Sequence, residues 1–175
     1  MDPLMAFIRE AHDADIPLLG ICFGHQAIAQ ALGGEVVKWP DGWGVGVRPT
    51  RFERQPVAKA ELPDDAVVKL IYFHQDQVTR LPERAERLAS SDFCDEAGFT
   101  LCTTDGVQTV LCLQGHPEFD AGYSTALLDS IESKIGTYRT KEARATLTKK
   151  TDSPLVAVWI KHFFTTAAQR RGWAA

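Results

Sequence analysis

The chain has 175 residues, 45% of them hydrophobic and 24% charged, with a formal net charge of −4 at pH 7. That length and balance suit a single domain, expected over 1–175, with a sizeable core, and the acidic balance excludes the basic field by which proteins hold nucleic acid or an anionic membrane. No stretch approaches the roughly 20 apolar residues of a membrane span, residues 1–20 lack the pattern of a secretory leader, and the four cysteines show no C-x-x-C spacing, so a cytoplasmic protein with reduced thiols is expected.

Residues 1–11 read as a helix. Ile16-Pro17-Leu18-Leu19 follows as a short buried strand, and Ala27, Ile28, Ala31 and Leu32 mark one face of a helix that stops at Gly33-Gly34. Between them lies Gly20-Ile21-Cys22-Phe23-Gly24, a glycine-flanked turn with the layout of a nucleophile elbow in which Cys takes the place of Ser. Such a turn crowds the backbone, a demand both glycines are expected to meet, while the start of the helix favours thiolate over thiol. His25 is expected to pack beside the elbow.

Glu35–Lys38 and 45–52 read as strands on either side of the Pro40-Asp41-Gly42 turn, and 67–73 as another, which leaves His74 at a strand end. Segments 99–104 and 107–113 flank Asp105-Gly106, the dipeptide of a tight hairpin. His116-Pro117-Glu118 lies just past the second of these strands. Pro117 disfavours the helical region for His116, so His116 and Glu118 lie two apart in extended chain and face the same side, where Glu118 can orient the imidazole. A base held by a carboxylate and facing a thiol on an elbow is the general form of a Cys-His-acid triad. Further on, 121–135 reads as a helix ending before Gly136. Ser153 reads as the cap of another, with Pro154 at its first position and Leu155, Trp159, Phe163 and Ala167 on its core face. Lys141, Lys149 and Lys150 read as solvated surface.

Three segments together resemble a known family. Gly20-Ile21-Cys22-Phe23-Gly24-His25-Gln26, His74-Gln75-Asp76-Gln77-Val78 and Gln114-Gly115-His116-Pro117-Glu118 are similar, in the family's order, to the signature segments of class I glutamine amidotransferases. Gly42-Trp43-Gly44-Val45-Gly46 also resembles a stretch found after the elbow helix in some standalone members. The resemblance runs from about residue 5 to the region of Phe119. It implies an α/β fold with a doubly wound, mostly parallel, flavodoxin-like sheet and a small antiparallel strand layer. It also implies that Cys22 attacks the side-chain amide of glutamine, that His116 carries the proton, and that Glu118 supports His116. Gly20, Phe23, Gln26, His74 and Asp76 would form the substrate site, with the Phe23 backbone N–H as half of an oxyanion hole.

Members of that family place about two βα units before the elbow, and an early glycine-rich loop donates an oxyanion-hole N–H. This chain opens at the helix preceding the elbow strand, so it is read as lacking those first units and the native protein as longer. The implied activity is hydrolysis of the glutamine side-chain amide through a cysteine thioester, giving glutamate and ammonia for a partner synthase. Within the family, a γ-glutamyl peptidase or hydrolase is the alternative, and a catalytically impaired domain acting as a binding or regulatory module is the alternative outside it. A metal site of His74, Asp76, His116 and Glu118 is the least favoured reading, because no local ligand motif such as H-E-x-x-H occurs. No cofactor is expected. The ligand implied is glutamine or a γ-glutamyl compound, with no nucleic acid and no membrane, and the reading allows a homo-oligomer.

Overall fold

The computed structural model describes residues 3–57, 62 and 66–172; Met1 and Asp2, at the start of the expected opening helix, lie outside them. The chain begins with α1 (Pro3–Asp13), β1 (Leu18–Ile21) and α2 (Phe23–Ala31), then β2 (Glu35–Lys38), β3 (Gly44–Phe52), β4 (Ala66–His74) and β5 (Asp76–Arg80). It continues through β6 (Glu86–Ser91), β7 (Gly98–Cys102) and β8 (Gln108–Leu113) to α3 (Ala121–Ile135), α4 (Thr137–Thr146) and α5 (Ser153–Arg170). Six strands form one sheet in the order β1-β8-β7-β6-β3-β4, and β2 pairs with β5 in a separate two-stranded ladder.

The alternation of side chains along β8 explains the layering. Leu111 and Leu113 point to one face, where they join Leu70, Tyr72 and the Val156, Trp159 and Phe163 of α5. Val110 and Cys112 point to the other, against Ile8 of α1 and Ala27, Ile28 and Ala31 of α2. Helices therefore cover both faces, as in an α/β architecture. A third cluster holds Val45, Val47 and Ile71 against Leu128 and Ile135 of α3 and Ala143 of α4. Gly46 lets α4 approach β3: its φ is +86°, and a Cβ there would meet Ala143 Cα at 3.0 Å.

β1 and β8 pair in parallel, with Gly20 opposite Cys112 and Ile21 opposite Leu113. Both strands thus leave the sheet at the same end, which puts the elbow and the segment after β8 side by side. The pairs β8–β7, β7–β6, β6–β3 and β3–β4 are antiparallel. The antiparallel part is larger than the small layer the resemblance implies, because the connections between β6, β7 and β8 are too short for crossovers.

Other expectations shift in detail. β2 and β3 flank the Pro40-Asp41-Gly42 turn but do not pair; β3 runs antiparallel to β4 from Gly44 opposite His74 to Phe52 opposite Ala66, while β2 finds β5. β5, β6 and α4 carry no strong signal, being short or polar: α4 buries only Thr140 and Ala143. Helix α5 takes Asp152 rather than Ser153 at its cap position, and the Asp152 carboxylate accepts the Lys69 backbone N–H at 2.8 Å, tying the helix start to β4. Its core face begins at Val156, and Leu155 is exposed. His25 does pack beside the elbow, fully buried and edge-on to Phe99 at 5.1 Å.

Candidate active site

The strand-to-helix turn places Cys22 at φ 49° and ψ −99°, an unusual backbone conformation for a non-glycine residue. Its backbone N–H donates to Leu113 O at 2.9 Å, anchoring the turn to the end of β8. Gly20 is where the crowding falls: a Cβ would lie 2.8 Å from Gly24 C, Gly24 O and His25 N, all backbone atoms. Gly24 differs, since a Cβ there would meet nothing within 4 Å. Only the first glycine answers a steric demand of the turn. Gly20→Ala is therefore expected to destabilise the fold by about 2 kcal/mol or more, read as a lower urea midpoint, whereas Gly24→Ala leaves the midpoint unchanged or raised.

The electrostatics of Cys22 run against the simple helix-start expectation. Burial pushes the thiol up to about 11; the Phe23 N–H and the Gln114 side chain pull it down, and the Glu118 carboxylate pushes it up. The first turn of α2 does offer its N–H to the sulfur, but desolvation outweighs it. At neutral pH the resting group is a thiol. Among the described residues Sγ approaches Phe73 O at 3.9 Å and accepts from Gln114 Nε2 at 3.4 Å.

His116 is held from three directions. Its backbone N–H donates to Ile71 O of β4 at 2.7 Å. Its Nδ1 lies 2.7 Å from Glu118 Oε1, the contact expected from an extended His-Pro-Glu. Its ring stacks on Phe119 with centroids 3.8 Å apart and planes 13° from parallel. A carboxylate can only accept here, so Nδ1 carries the proton and Nε2 is left as the basic nitrogen.

A cavity of about 400 Å³ is lined by Cys22, Gln26, Lys38, Trp43, Phe73, His74, Gln75 and Asp76. Gln26, His74 and Asp76 are thus brought together as expected, while Gly20 and Phe23 do not line it. His74 Nδ1 lies 3.0 Å from Asp76 O, and burial pushes its pKa down to about 4, so the ring is neutral. Gln26 Nε2 donates to Asp76 O at 2.6 Å and to Gln114 Oε1 at 3.1 Å. Sequence reasoning missed Lys38, Gln114 and Phe119 as site residues and gave Trp43 no role. Lys38 stands opposite Asp76 in the β2–β5 ladder, a long-range pairing invisible in either segment alone. Among the described residues no three His, Cys, Asp or Glu side chains group as metal ligands would, and no helix is long and apolar enough to cross a membrane.

Comparison with known proteins adds a family match. The family model of the class-I glutamine amidotransferases matches residues 1–130. Over 150 residues the chain is 30% identical to γ-glutamyl peptidase 3 of Arabidopsis thaliana, covering 82% of this chain and 57% of that protein. Over 82 residues it is 38% identical to one subunit of the glutamine-hydrolysing GMP synthase of Archaeoglobus fulgidus, covering 47% of this chain and 43% of that protein. The crystal structure of a glutamine amidotransferase from Thermotoga maritima superposes with a TM-score of 0.71 at 22% identity, covering 91% of this chain and 67% of that one; the likeness is one of fold. The chain spans about half the length of the γ-glutamyl peptidases it matches.

Proposed function

The chain belongs to the class I glutamine amidotransferase family, and from that premise we propose that it hydrolyses the side-chain amide of glutamine through a thioester on Cys22. The observation that carries this reading is the meeting of two segments at one end of a parallel strand pair: Cys22, on its positive-φ turn after β1 with its backbone N–H bonded to Leu113 O, and just past β8 the His116 whose Nδ1 is held by Glu118 at 2.7 Å. The thiol gives its proton to His116 Nε2 as sulfur attacks the amide carbon. Because burial pushes the resting thiol up to about 11, the attacking sulfur needs a base to take its proton, the part given to His116. The oxyanion faces the Phe23 N–H. Collapse breaks the C–N bond, and His116 returns the proton to the leaving ammonia. His116 then deprotonates a water that cleaves the thioester, releasing glutamate and the thiol.

The cavity fits the amino-acid end of the substrate. Among the residues that line it with Cys22, Lys38 supplies a cation and Asp76 an anion, matching an α-carboxylate and an α-ammonium, and Gln26 and His74 supply further polar wall. Ammonia released here would pass to a partner synthase, by analogy with the GMP synthase relatives. The second reading is hydrolysis of a γ-glutamyl peptide bond with no partner. It is favoured by the longer match to the γ-glutamyl peptidase, 150 residues against 82 and 112 for the two GMP synthase subunits. We place the protein in the cytoplasm, in keeping with its four free cysteines.

Supplying the purified protein with glutamine and, separately, with a γ-glutamyl dipeptide tests the proposal. Glutamate release from glutamine supports the first reading and release from the dipeptide alone supports the second. Release from neither, by a folded protein, contradicts both and leaves a binding module. Glu118→Gln is expected to slow acylation of Cys22 about tenfold, less than the roughly hundredfold or more that general acid–base assistance supplies, because the base itself remains and Glu118 is 52% exposed, so water can partly replace its carboxylate. Acylation rates at pH 7 check this.

A further inference from the structure

Gln114 is fully buried, and its side-chain amide is engaged at both ends. Gln26 Nε2 donates to its Oε1 at 3.1 Å, and that same Gln26 nitrogen donates to Asp76 O at 2.6 Å, so the orientation of Gln26 is set by a backbone carbonyl. An amide oxygen accepts and an amide nitrogen donates. With Oε1 taken by Gln26, the Gln114 Nε2 must face Cys22, where it lies 3.4 Å from Sγ. The chain of contacts runs from a β5 carbonyl through two glutamines to the sulfur.

We propose that Gln114 is a catalytic residue whose amide N–H donates a hydrogen bond to the Cys22 sulfur as it becomes thiolate, and that Gln26 is a positioning residue holding Gln114 in the donating orientation. The inference rests on reading Cys22 as the nucleophile. A neutral thiol is a weak acceptor and a thiolate a strong one, so a donor fixed at this distance stabilises the charged form selectively. It acts where stabilisation is scarce: burial penalises the thiolate, and among the described residues the groups that oppose the penalty are the Phe23 N–H and Gln114. A glutamine that merely filled space would not need its nitrogen pointed at the sulfur. Gln26 lines the cavity and, through its Nε2, also acts on the sulfur by way of Gln114.

The test uses iodoacetamide, a small neutral electrophile with no amino-acid end, so alkylation of Cys22 is read independently of substrate binding. The rate of Cys22 modification is followed against pH by peptide mass, with Cys94, Cys102 and Cys112 scored separately. Gln114→Glu keeps the shape and the acceptor for Gln26 but replaces the donor with a carboxylate facing the sulfur. It is expected to move the midpoint of the pH–rate profile up by about one unit and to slow alkylation at pH 8 about tenfold. Gln114→Leu and Gln26→Leu shift the midpoint in the same direction, Gln26→Leu least. An unchanged midpoint in folded Gln114→Glu and Gln114→Leu overturns the proposal. Should neither fold, Gln26→Leu decides, and an unshifted profile there overturns it equally. A shifted midpoint in a protein that turns over no γ-glutamyl compound would sink the proposed function and Gln114's catalytic role with it, and leave standing the hydrogen bond from Gln114 to the Cys22 thiolate.

Discussion

Cys22→Ala is expected to abolish thioester formation and to lower hydrolysis of γ-glutamyl amides by a factor on the order of 10⁴ or more, since no other group supplies the covalent route. The fold should survive. Alanine carries the same Cβ as cysteine through the φ 49° conformation, so the turn gains no strain, and the backbone hydrogen bond to Leu113 O is untouched. What is lost is the sulfur under Gln114 Nε2, which leaves one buried donor without its partner at a cost of about 1 kcal/mol. Intact mass after exposure to substrate reads the first effect and a thermal melt reads the second. Persistent acylation in a folded Cys22→Ala variant would place the nucleophile elsewhere.

Acid is expected to destabilise the protein well above the range in which its carboxylates titrate. Burial pushes His25 down to about 3, helped by the proximity of His74, and pushes His74 down to about 4. Neither ring nitrogen of His25 has a protein partner among the described residues, and His74 Nε2 has none either. In the unfolded chain both imidazoles titrate near 6.5. The folded values lie below the unfolded one, so the unfolded state takes up protons first as pH falls. Stability is whole above about pH 6.5 and is lost progressively down to about pH 4 for His74 and about pH 3 for His25. At pH 5 each contributes a loss of about 2 kcal/mol, about 4 kcal/mol together. Urea midpoints at pH 8 and pH 5 measure this, and equal midpoints would show that these rings are charged or solvated in the folded state.

The parts of the site that sequence reasoning reaches are the parts built from neighbours in the chain. Gly20 and Cys22 are legible because an apolar strand, a crowded turn and a helical face follow one another within a few residues. The His116–Glu118 contact is legible because Pro117 keeps the pair extended. Gln114 sits two residues from His116 yet shows no role in sequence, because what orients it is Gln26, 88 residues away. Lys38 reaches the cavity only because β2 pairs with β5, and β5 is too short and polar to announce itself. The protonation of Cys22 is legible in the wrong direction: a helix start is visible in the chain, but the burial that outweighs it is a property of the assembled sheet. Asp152 makes the same point in the fold, directing its carboxylate to a β4 backbone N–H where local capping rules put Ser153 at the helix start.

The role of Cys22 as nucleophile in a glutamine site is tested by treating the purified protein with a diazo-ketone analogue of glutamine and reading the adduct by intact mass and peptide mapping, with and without glutamine. The proposed mechanism predicts one equivalent on Cys22, suppressed by glutamine and absent from Cys22→Ala. A folded protein that leaves Cys22 unlabelled, or labels it at a rate glutamine does not alter, would contradict it.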